Sequence, residues 1–511
     1  MSLALVYSRA KVGVDAPLVT VEVHLSRGLP GFTMVGLPEA AVKESKDRVR
    51  SAIINAGLEF PSQRITVNLA PADLPKEGGR FDLPIALGIL AASKQVPLSS
   101  LANLECLGEL ALSGELRYTQ GVLPAAIKTG QANRQLLIPE ANRQEAGLAS
   151  HTEVMVAKHL LAVCAHLAGG QPLLPITPQP LSAESRQGGL DLAEVKGQQQ
   201  AKRALEIAAS GGHNLLMIGP PGSGKTMLAS RLPGILPLLS DQEVLELACI
   251  YSVAQQQKAV QLVKQRPFRA PHHTVSAIAL VGGGRPPRPG EISLAHKGVL
   301  FLDEIAEHSR QVLDVLREPL ESGEVVISRA AYQITYPAQF QLIAAMNPCP
   351  CGYWGDKSDR CHCTSEQIQR YQQRLSGPLL DRIDLHVQVP AVHHRELLAK
   401  PQHSDETSAT VSARVTSAYN RQIHRCGKLN HQLAGNELAE HCALSKENKQ
   451  LLAQAINKLG LSARAIHRII KVSRTIADLA SSDNIEAEHL LEALNYRLLD
   501  RTYHTNTNPN N

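Results

Sequence analysis

Residues 215–226 read Leu215-Leu216-Met217-Ile218-Gly219-Pro220-Pro221-Gly222-Ser223-Gly224-Lys225-Thr226, an apolar run ending in a glycine-rich loop, and Met227 to Leu232 continue with helical spacing. Strand, loop and helix follow in the order a phosphate cradle needs. Glycine lets backbone N–H groups turn inward around phosphates, a lysine placed like Lys225 reaches the β and γ oxygens, and a hydroxyl placed like that of Thr226 suits magnesium. The stretch predicts a P-loop NTPase core of α/β class, in which Gly219, Pro220, Pro221, Gly222, Ser223, Gly224, Lys225 and Thr226 hold ATP and Mg2+.

Two further apolar runs end in polar residues. Gly298-Val299-Leu300-Phe301-Leu302-Asp303-Glu304 reads as a buried strand delivering two acids. One carboxylate, Asp303, suits the magnesium, and the next, Glu304, is placed to orient or deprotonate an attacking water. Phe340 to Asn347 is a third such strand, and Asn347 reads either as a sensor of the γ-phosphate or as a turn residue. Ser376 to Asp384 sets Arg382 between Asp381 and Asp384, as a solvated ion pair or as a finger donated to a neighbouring subunit's nucleotide.

Around this core the chain runs to 511 residues, enough for three or so domains at about 150 residues each. Hydrophobic residues make up 43% and charged residues 19%, which excludes a disordered chain. Aromatic residues are only 3%, so the cores are aliphatic and a stacking-rich nucleic-acid platform is disfavoured. The net charge of +5 permits a polyanionic partner without demanding one, so any such contact must be local. Apolar runs fall well short of a membrane span, and Arg9 and Lys11 interrupt the first of them, so a cytoplasmic protein without a membrane partner is expected.

Alternation over Leu18–Leu25 and at Ile65, Val67 and Leu69 predicts strands, and Glu39–Ala56 and Asp82–Ser93 read as helices. The first third is therefore a mixed α/β domain, 1–168. A glycine- and proline-rich linker, 169–190, leads into the ATPase core, 191–390; a second linker, 391–407, precedes a helical lid, 408–502, and a polar tail, 503–511.

Cys349-Pro350-Cys351 and Cys361-His362-Cys363 enclose nine residues, forming an insertion at 349–363. Four thiolates so spaced suit a structural zinc, with His362 able to replace one ligand; reduced surface thiols are the plain alternative. Gly282-Gly283-Gly284-Arg285-Pro286-Pro287-Arg288-Pro289 reads as an exposed loop whose Arg285 and Arg288 could grip DNA phosphates. Val325–Tyr336 reads as a hairpin with Arg329 at its tip. Both could equally be solvent loops.

Asp191-Leu192-Ala193-Glu194-Val195-Lys196-Gly197-Gln198, Arg269-Ala270-Pro271-His272-His273, Gly290 to His296 and Arg317 to Gly323 resemble the magnesium-chelatase-like AAA+ ATPases. Within them the chain looks like a helix-2-insert clade helicase that promotes branch migration of transforming DNA. That resemblance implies a homo-hexamer acting on single-stranded and branched DNA, with recombination proteins as further partners. It gives Asn347 the sensor 1 role, Arg382 the arginine finger and Arg464 the sensor 2 role, and likens the 325–336 hairpin to the pre-sensor-1 hairpin of that clade. In the residues themselves, Ser462 is placed to cap a helix, and Arg464, Arg468 and Lys471 share a basic face that also reads as solvated surface.

Pro75-Lys76-Glu77-Gly78-Gly79-Arg80, Val122-Leu123-Pro124 and Leu137 to Glu140 are similar to the proteolytic domain of Lon proteases, a ribosomal-S5-domain-2-like fold. Arg80 stands where that family has its nucleophilic serine, and an arginine cannot attack a carbonyl. Proteolysis is disfavoured, and the domain is expected to contact DNA or organise the ring. The competing function is a chelatase-type motor subunit that remodels a protein partner for metal insertion; the Lon-like first domain weighs against it.

Overall fold

The computed structural model describes residues 2–36, 44–178, 190–254, 264–284, 287–329, 332–355, 360–392, 406–459 and 461–497. Arg285, Gly460, the start of the helix expected at Glu39, half of the first linker, most of the second and the tail lie outside them.

In the first domain the alternating pattern becomes geometry: from Val19 to Leu25 every second side chain is buried, because successive residues of a strand face opposite sides of a sheet. β1 (Ser2–Arg9), β2 (Leu18–Ser26), β3 (Gly31–Val35), β4 (Arg64–Ala70), β5 (Leu104–Cys106), β8 (Gln135–Pro139) and β9 (Val154–Ala157) form one mixed sheet in the order β3-β4-β2-β1-β5-β8-β9. A small hairpin, β6 (Glu109–Leu110) with β7 (Leu116–Arg117), lies beside it. The helix Asp82–Ala92 is buried along its whole length against β1 and β2.

The second sheet is parallel throughout, in the order β11-β14-β17-β10-β18: β11 (Phe268–Arg269), β14 (Val299–Leu302), β17 (Gln341–Met346), β10 (Leu215–Ile218) and β18 (Leu385–Gln388). Parallel strands covered on both faces read as continuous apolar runs. Here Leu215, Met217, Phe301, Ile343 and Ala345 pack on one side and Leu216, Leu300, Leu302, Leu342 and Ala344 on the other. Two hairpins project from the core, β12 (Gly282–Gly283) with β13 (Arg288–Pro289) and β15 (Glu324–Arg329) with β16 (Tyr332–Pro337).

The C-terminal helices Ser408–Cys426, Lys446–Leu459, Ala463–Leu479 and Ala487–Asn495 close one face of that sheet: Val411, Val415, Leu452, Ile469 and Ile476 share its core. The first domain meets the second mainly through the helix Asp241–Val253, whose Ala248 enters the first domain's core and whose Ser252 carbonyl accepts from Gly121 N at 3.2 Å. Among the described residues no helix is long and apolar enough to cross a membrane.

Candidate nucleotide site and its surroundings

Strand register sets the site. Ile218 pairs with Met346 and Leu302 with Ala344, so the following segments emerge along one carboxyl edge, where open parallel α/β sheets bind ligands. The P-loop, Asp303, Glu304 and Asn347 all lie there. Gly224 adopts φ +88°, in the left-handed region that favours glycine, and opens the helix Lys225–Ile235. The first N–H groups of that helix are those an anion would use.

Lys225 is 9% exposed, and its Nζ donates to Gly219 O at 2.7 Å, Pro220 O at 2.9 Å and Asn347 Oδ1 at 3.3 Å. Burial lowers its pKa, and the charges of Asp303 and Glu304 oppose that shift. Thr226 Oγ1 donates to Asp303 Oδ2 at 2.6 Å. A hydroxyl and a carboxylate oxygen thus converge at the helix start, a hard-oxygen pair of the kind magnesium takes beside phosphates. The residues fit both the ion and the nucleotide.

Glu304 sits in a left-handed backbone turn, φ +47°, at a cost of about 1–2 kcal/mol for a residue with a Cβ. Its N–H donates to Asp303 Oδ1 at 2.9 Å, so the strained turn also fixes the neighbouring carboxylate. The Glu304 side chain is half exposed, with Oε2 3.7 Å from His273 Nδ1. The His272 and His273 rings lie 4.0 Å apart, and His308 Nε2 donates to Asp303 O at 3.3 Å. Burial lowers the His308 pKa, and the neighbouring His273 and His272 push the same way. Sequence reading had the two adjacent histidines only as part of a family signature and passed over His308. The available signal was the His-His pair just beyond β11.

Arg382 and Arg464 lie at the opposite edge. Arg382 falls three residues before β18, whose Leu385 pairs with Leu215, and its carbonyl accepts from Asn214 Nδ2 at 2.8 Å. Its guanidinium is ion-paired with Glu321 and donates to Pro378 O at 2.7 Å. Arg464 opens the helix Ala463–Leu479, which Ser462 caps by accepting from Ala465 N at 3.2 Å, and its Nη1 lies 3.4 Å from Asp381 Oδ2. Among the described residues, the hydrogen bonds and ion pairs of both arginines stay at this edge.

The basic face is divided: the Arg464 side chain is 67% exposed, as on a solvated surface, whereas the next two residues of the face are tied to the protein. Arg468 pairs with Asp384, which is 4% exposed, and Lys471 Nζ donates to His431 O at 2.9 Å. Burial by itself would raise the Asp384 carboxyl. The Arg468 guanidinium and His213 outweigh it and hold that carboxyl well below the usual range.

All four thiols of Cys349, Cys351, Cys361 and Cys363 lie within 4.8 Å of one another. Cys349 Sγ is 3.3 Å from Cys351 Sγ and 3.8 Å from Cys361 Sγ, and the latter two are 3.6 Å apart. A tetrahedron with Zn–S bonds of about 2.3 Å has edges of about 3.8 Å, whereas a disulfide would bring two sulfurs to about 2.05 Å. The Tyr353 backbone N–H lowers the Cys351 thiol to about 6, whereas Cys361 and Cys363, despite backbone hydrogen bonds, are raised by the neighbouring thiols. The donor set fits zinc.

The described ends of the glycine-rich segment, Gly282–Gly283 and Arg288–Pro289, pair as the β12–β13 hairpin, with Pro287 and Pro289 buried and Tyr336 Oη donating to Pro287 O at 3.0 Å. Arg288 is exposed on it. Arg329 pairs with Tyr332 as the last pair of its hairpin. Arg80 is 5% exposed, and burial lowers its guanidinium to about 10 against the charges of Glu77 and Glu145. Glu145 in turn accepts from Ser252 of the second domain.

An open parallel sheet with a P-loop and an adjacent acid pair along its carboxyl edge defines a P-loop NTPase core. Family models described as magnesium chelatase, subunit ChlI, match residues 191–397; as subunit ChlI of Mg-chelatase, 21–142; and as magnesium chelatase, subunit ChlI C-terminal, 405–497. The chain is 54% identical over 505 residues to the competence protein ComM of Haemophilus influenzae, covering 98% of each chain. It is 53% identical over 501 residues to the protein YifB of Escherichia coli and 52% identical over 501 residues to that of Salmonella typhimurium, again covering 98% of each chain. The chain belongs to the magnesium-chelatase-like AAA+ family that includes ComM and YifB.

Proposed function

We propose that this protein is the ATPase subunit of a ring-shaped DNA motor, a homo-hexamer that moves along single-stranded and branched DNA and serves competence-related recombination. The observation that carries this reading is the division of the site between two sheet edges. Lys225, Thr226, Asp303, Glu304 and Asn347 gather at the carboxyl edge, and Arg382 and Arg464 at the other. A neighbouring copy that presents its amino edge to this carboxyl edge completes the site, as a head-to-tail ring does.

In such a site Lys225 and the loop N–H groups bind the triphosphate, and Thr226 and Asp303 hold Mg2+, which neutralises charge on the β and γ oxygens when bound. Glu304 orients the attacking water and accepts its proton. Asn347, which already reaches the Lys225 ammonium, follows the γ-phosphate, and the neighbour's arginine meets the charge that develops on transfer. The likeness to the competence protein ComM supports DNA as the track, and Arg288, together with Arg285 and Arg329, supplies phosphate contacts that carry no sequence information. We also read the first domain as a Lon-like, ribosomal-S5-domain-2-like fold, the C-terminal helices as the lid, and the four-cysteine insertion as a structural zinc clip.

ATP turnover with and without single-stranded or branched DNA, followed by strand displacement, tests the reading. Stimulation by DNA together with displacement is expected. Turnover that ignores DNA, in a sample that does not displace strands, would refute it.

A further inference from the structure

The four-cysteine insertion does not hang free of the nucleotide site. It leaves β17 directly after Asn347, and Cys349, two residues on, is fully buried. Gly352 N donates to Cys349 O at 3.0 Å and Trp354 N to Cys349 Sγ at 3.3 Å, which folds the first half of the insertion into a tight turn. That turn abuts the P-loop. Gly352 adopts φ +86°, and a Cβ built there would lie 2.6 Å and 2.8 Å from Cδ and Cγ of Pro221 and 3.8 Å from Cγ of Asn347. The second half is anchored as well: Thr364 caps the helix Ser365–Gln372, and Gln372 Nε2 donates to Pro348 O at 3.3 Å. Just past that helix, Arg374 Nη1 donates to Ala306 O at 3.1 Å and to Glu307 at 2.8 Å, in the segment that follows Glu304.

The insertion therefore touches the P-loop at Pro221, holds Asn347 at its root, and is tied through Arg374 to the acid-bearing turn. Asn347 Oδ1 in turn accepts from Lys225 at 3.3 Å. Four sulfurs within bonding range of one ion close this bridge. Among the described residues the Arg360 guanidinium over the Tyr353 ring, at 4.6 Å, and the Gln372–Pro348 bond also join the two halves, and the ion would add four bonds to these.

We propose that the clip is a metal-dependent brace of the phosphate loop, so that metal occupancy sets nucleotide affinity. The proposal rests on the zinc reading above and adds the coupling between the two sites. Coupling free energies between sites are commonly 1–3 kcal/mol, about 5–150-fold in affinity.

The test uses the full-length protein. Metal content is measured on protein purified without added metal, and binding of a fluorescent ATP analogue with Mg2+ is measured on wild type, on wild type stripped by a zinc-selective thiol chelator, on the Cys361→Ser/Cys363→Ser variant and on Gly352→Ala. Expected are one zinc per wild-type chain, at least about fivefold weaker nucleotide binding after stripping or in the double variant, and weaker binding in Gly352→Ala with zinc retained. By reciprocity, saturating nucleotide should hold zinc against the chelator by the same factor. Gly352→Ala keeps all four ligands, so it reports on the Pro221 contact even if the cysteine variant fails to fold. Absence of zinc from the wild type removes the zinc reading and the brace with it. Zinc present, with nucleotide affinity unchanged both after stripping and in Gly352→Ala, leaves the zinc reading standing and overturns the brace.

Discussion

Mixing two inactive variants should restore turnover if the site is shared between protomers. β10 and β18 are in register from Leu215 and Leu385, Arg382 lies before that start, and the P-loop follows the other end. Four residues of strand span about 13 Å, more than an arginine side chain reaches, so Arg382 cannot meet its own chain's phosphates. Its partner Glu321 is 71% exposed, and an ion pair so open to water is worth about 0–1 kcal/mol. An arginine finger is worth about 10³–10⁵ in rate, or about 4–7 kcal/mol at 1.36 kcal/mol per decade. Exchange of Glu321 for a neighbour's nucleotide is therefore favourable.

Lys225→Ala removes one protomer's nucleotide grip, and Arg382→Ala removes the finger it offers next door. Each variant alone should be inactive. In a ring mixed at one to one, about a quarter of the interfaces pair an intact Lys225 with an intact Arg382, since head-to-tail contacts draw one partner from each side. Steady-state phosphate release should recover to about a quarter of wild type. Mixed rings, verified by native mass spectrometry, that stay at the background of the separate variants would refute the reasoning.

Glu304→Gln should keep nucleotide binding and lower turnover by about 10²–10⁴, the usual range for losing a general base; equilibrium binding beside single-turnover kinetics checks both halves. Replacing Arg285 and Arg288 with alanine should cut DNA-stimulated turnover and spare the basal rate, and the slope of log K against log salt on single strands should fall by about 0.7 for each phosphate no longer neutralised. Equal loss of basal and stimulated rates would count against a DNA role.

Stability should fall as the pH drops below about 6.5. His296 and His386 are 2% and 0% exposed. Burial, aided by Lys297, lowers His296 to about 4 even with Glu246 opposing, and burial with Arg497 holds His386 well below its ordinary value. The unfolded chain then binds protons that the folded chain refuses, costing up to about 1.4 kcal/mol per pH unit for each histidine. Urea midpoints at pH 7.5 and pH 5 should differ in that direction, and coincident midpoints would contradict it.

What could be read in advance, and what could not, follows from how locally each feature is encoded. The strands at 215–218, 299–302 and 341–346 were legible because buried parallel strands are apolar throughout and end abruptly in the residues that do chemistry. β11, only Phe268–Arg269, is too short for any period to mark it, and β18 was hidden behind the more conspicuous Arg382. For the helix Ala463–Leu479, periodicity correctly separated two faces. The partners of its basic face, Asp381 and Asp384, lie about 80 residues away, and burial of Asp384 depends on which strand borders β10. The Gly352–Pro221 contact was invisible for the same reason: it is a meeting of segments brought together by strand order, and strand order in a parallel sheet is set by crossovers whose sequences do not name their destinations.

That same strand order turns a set of motifs into a claim about assembly. Gly219, Asp303, Glu304 and Asn347 follow strand ends, whereas Arg382 precedes a strand start, and in an all-parallel sheet ends and starts lie on opposite edges. Any residue of the second kind that serves the nucleotide must serve it in another molecule. The helices at 408–495 cover one face of the sheet and anchor through Arg468 and Arg497 to the amino edge, the latter donating to Ile383 O at 2.8 Å. Displacement of a neighbour's arginines during hydrolysis would therefore be passed to its helical segment. It would pass equally to the sheet carrying both projecting hairpins, the β15–β16 pair among them, where Gly13 of the first domain lies against Ile334. In a head-to-tail ring of the kind proposed above, a displacement at one protomer's carboxyl edge would reach, through the packed core of the next, the elements that carry Arg288 and Arg329.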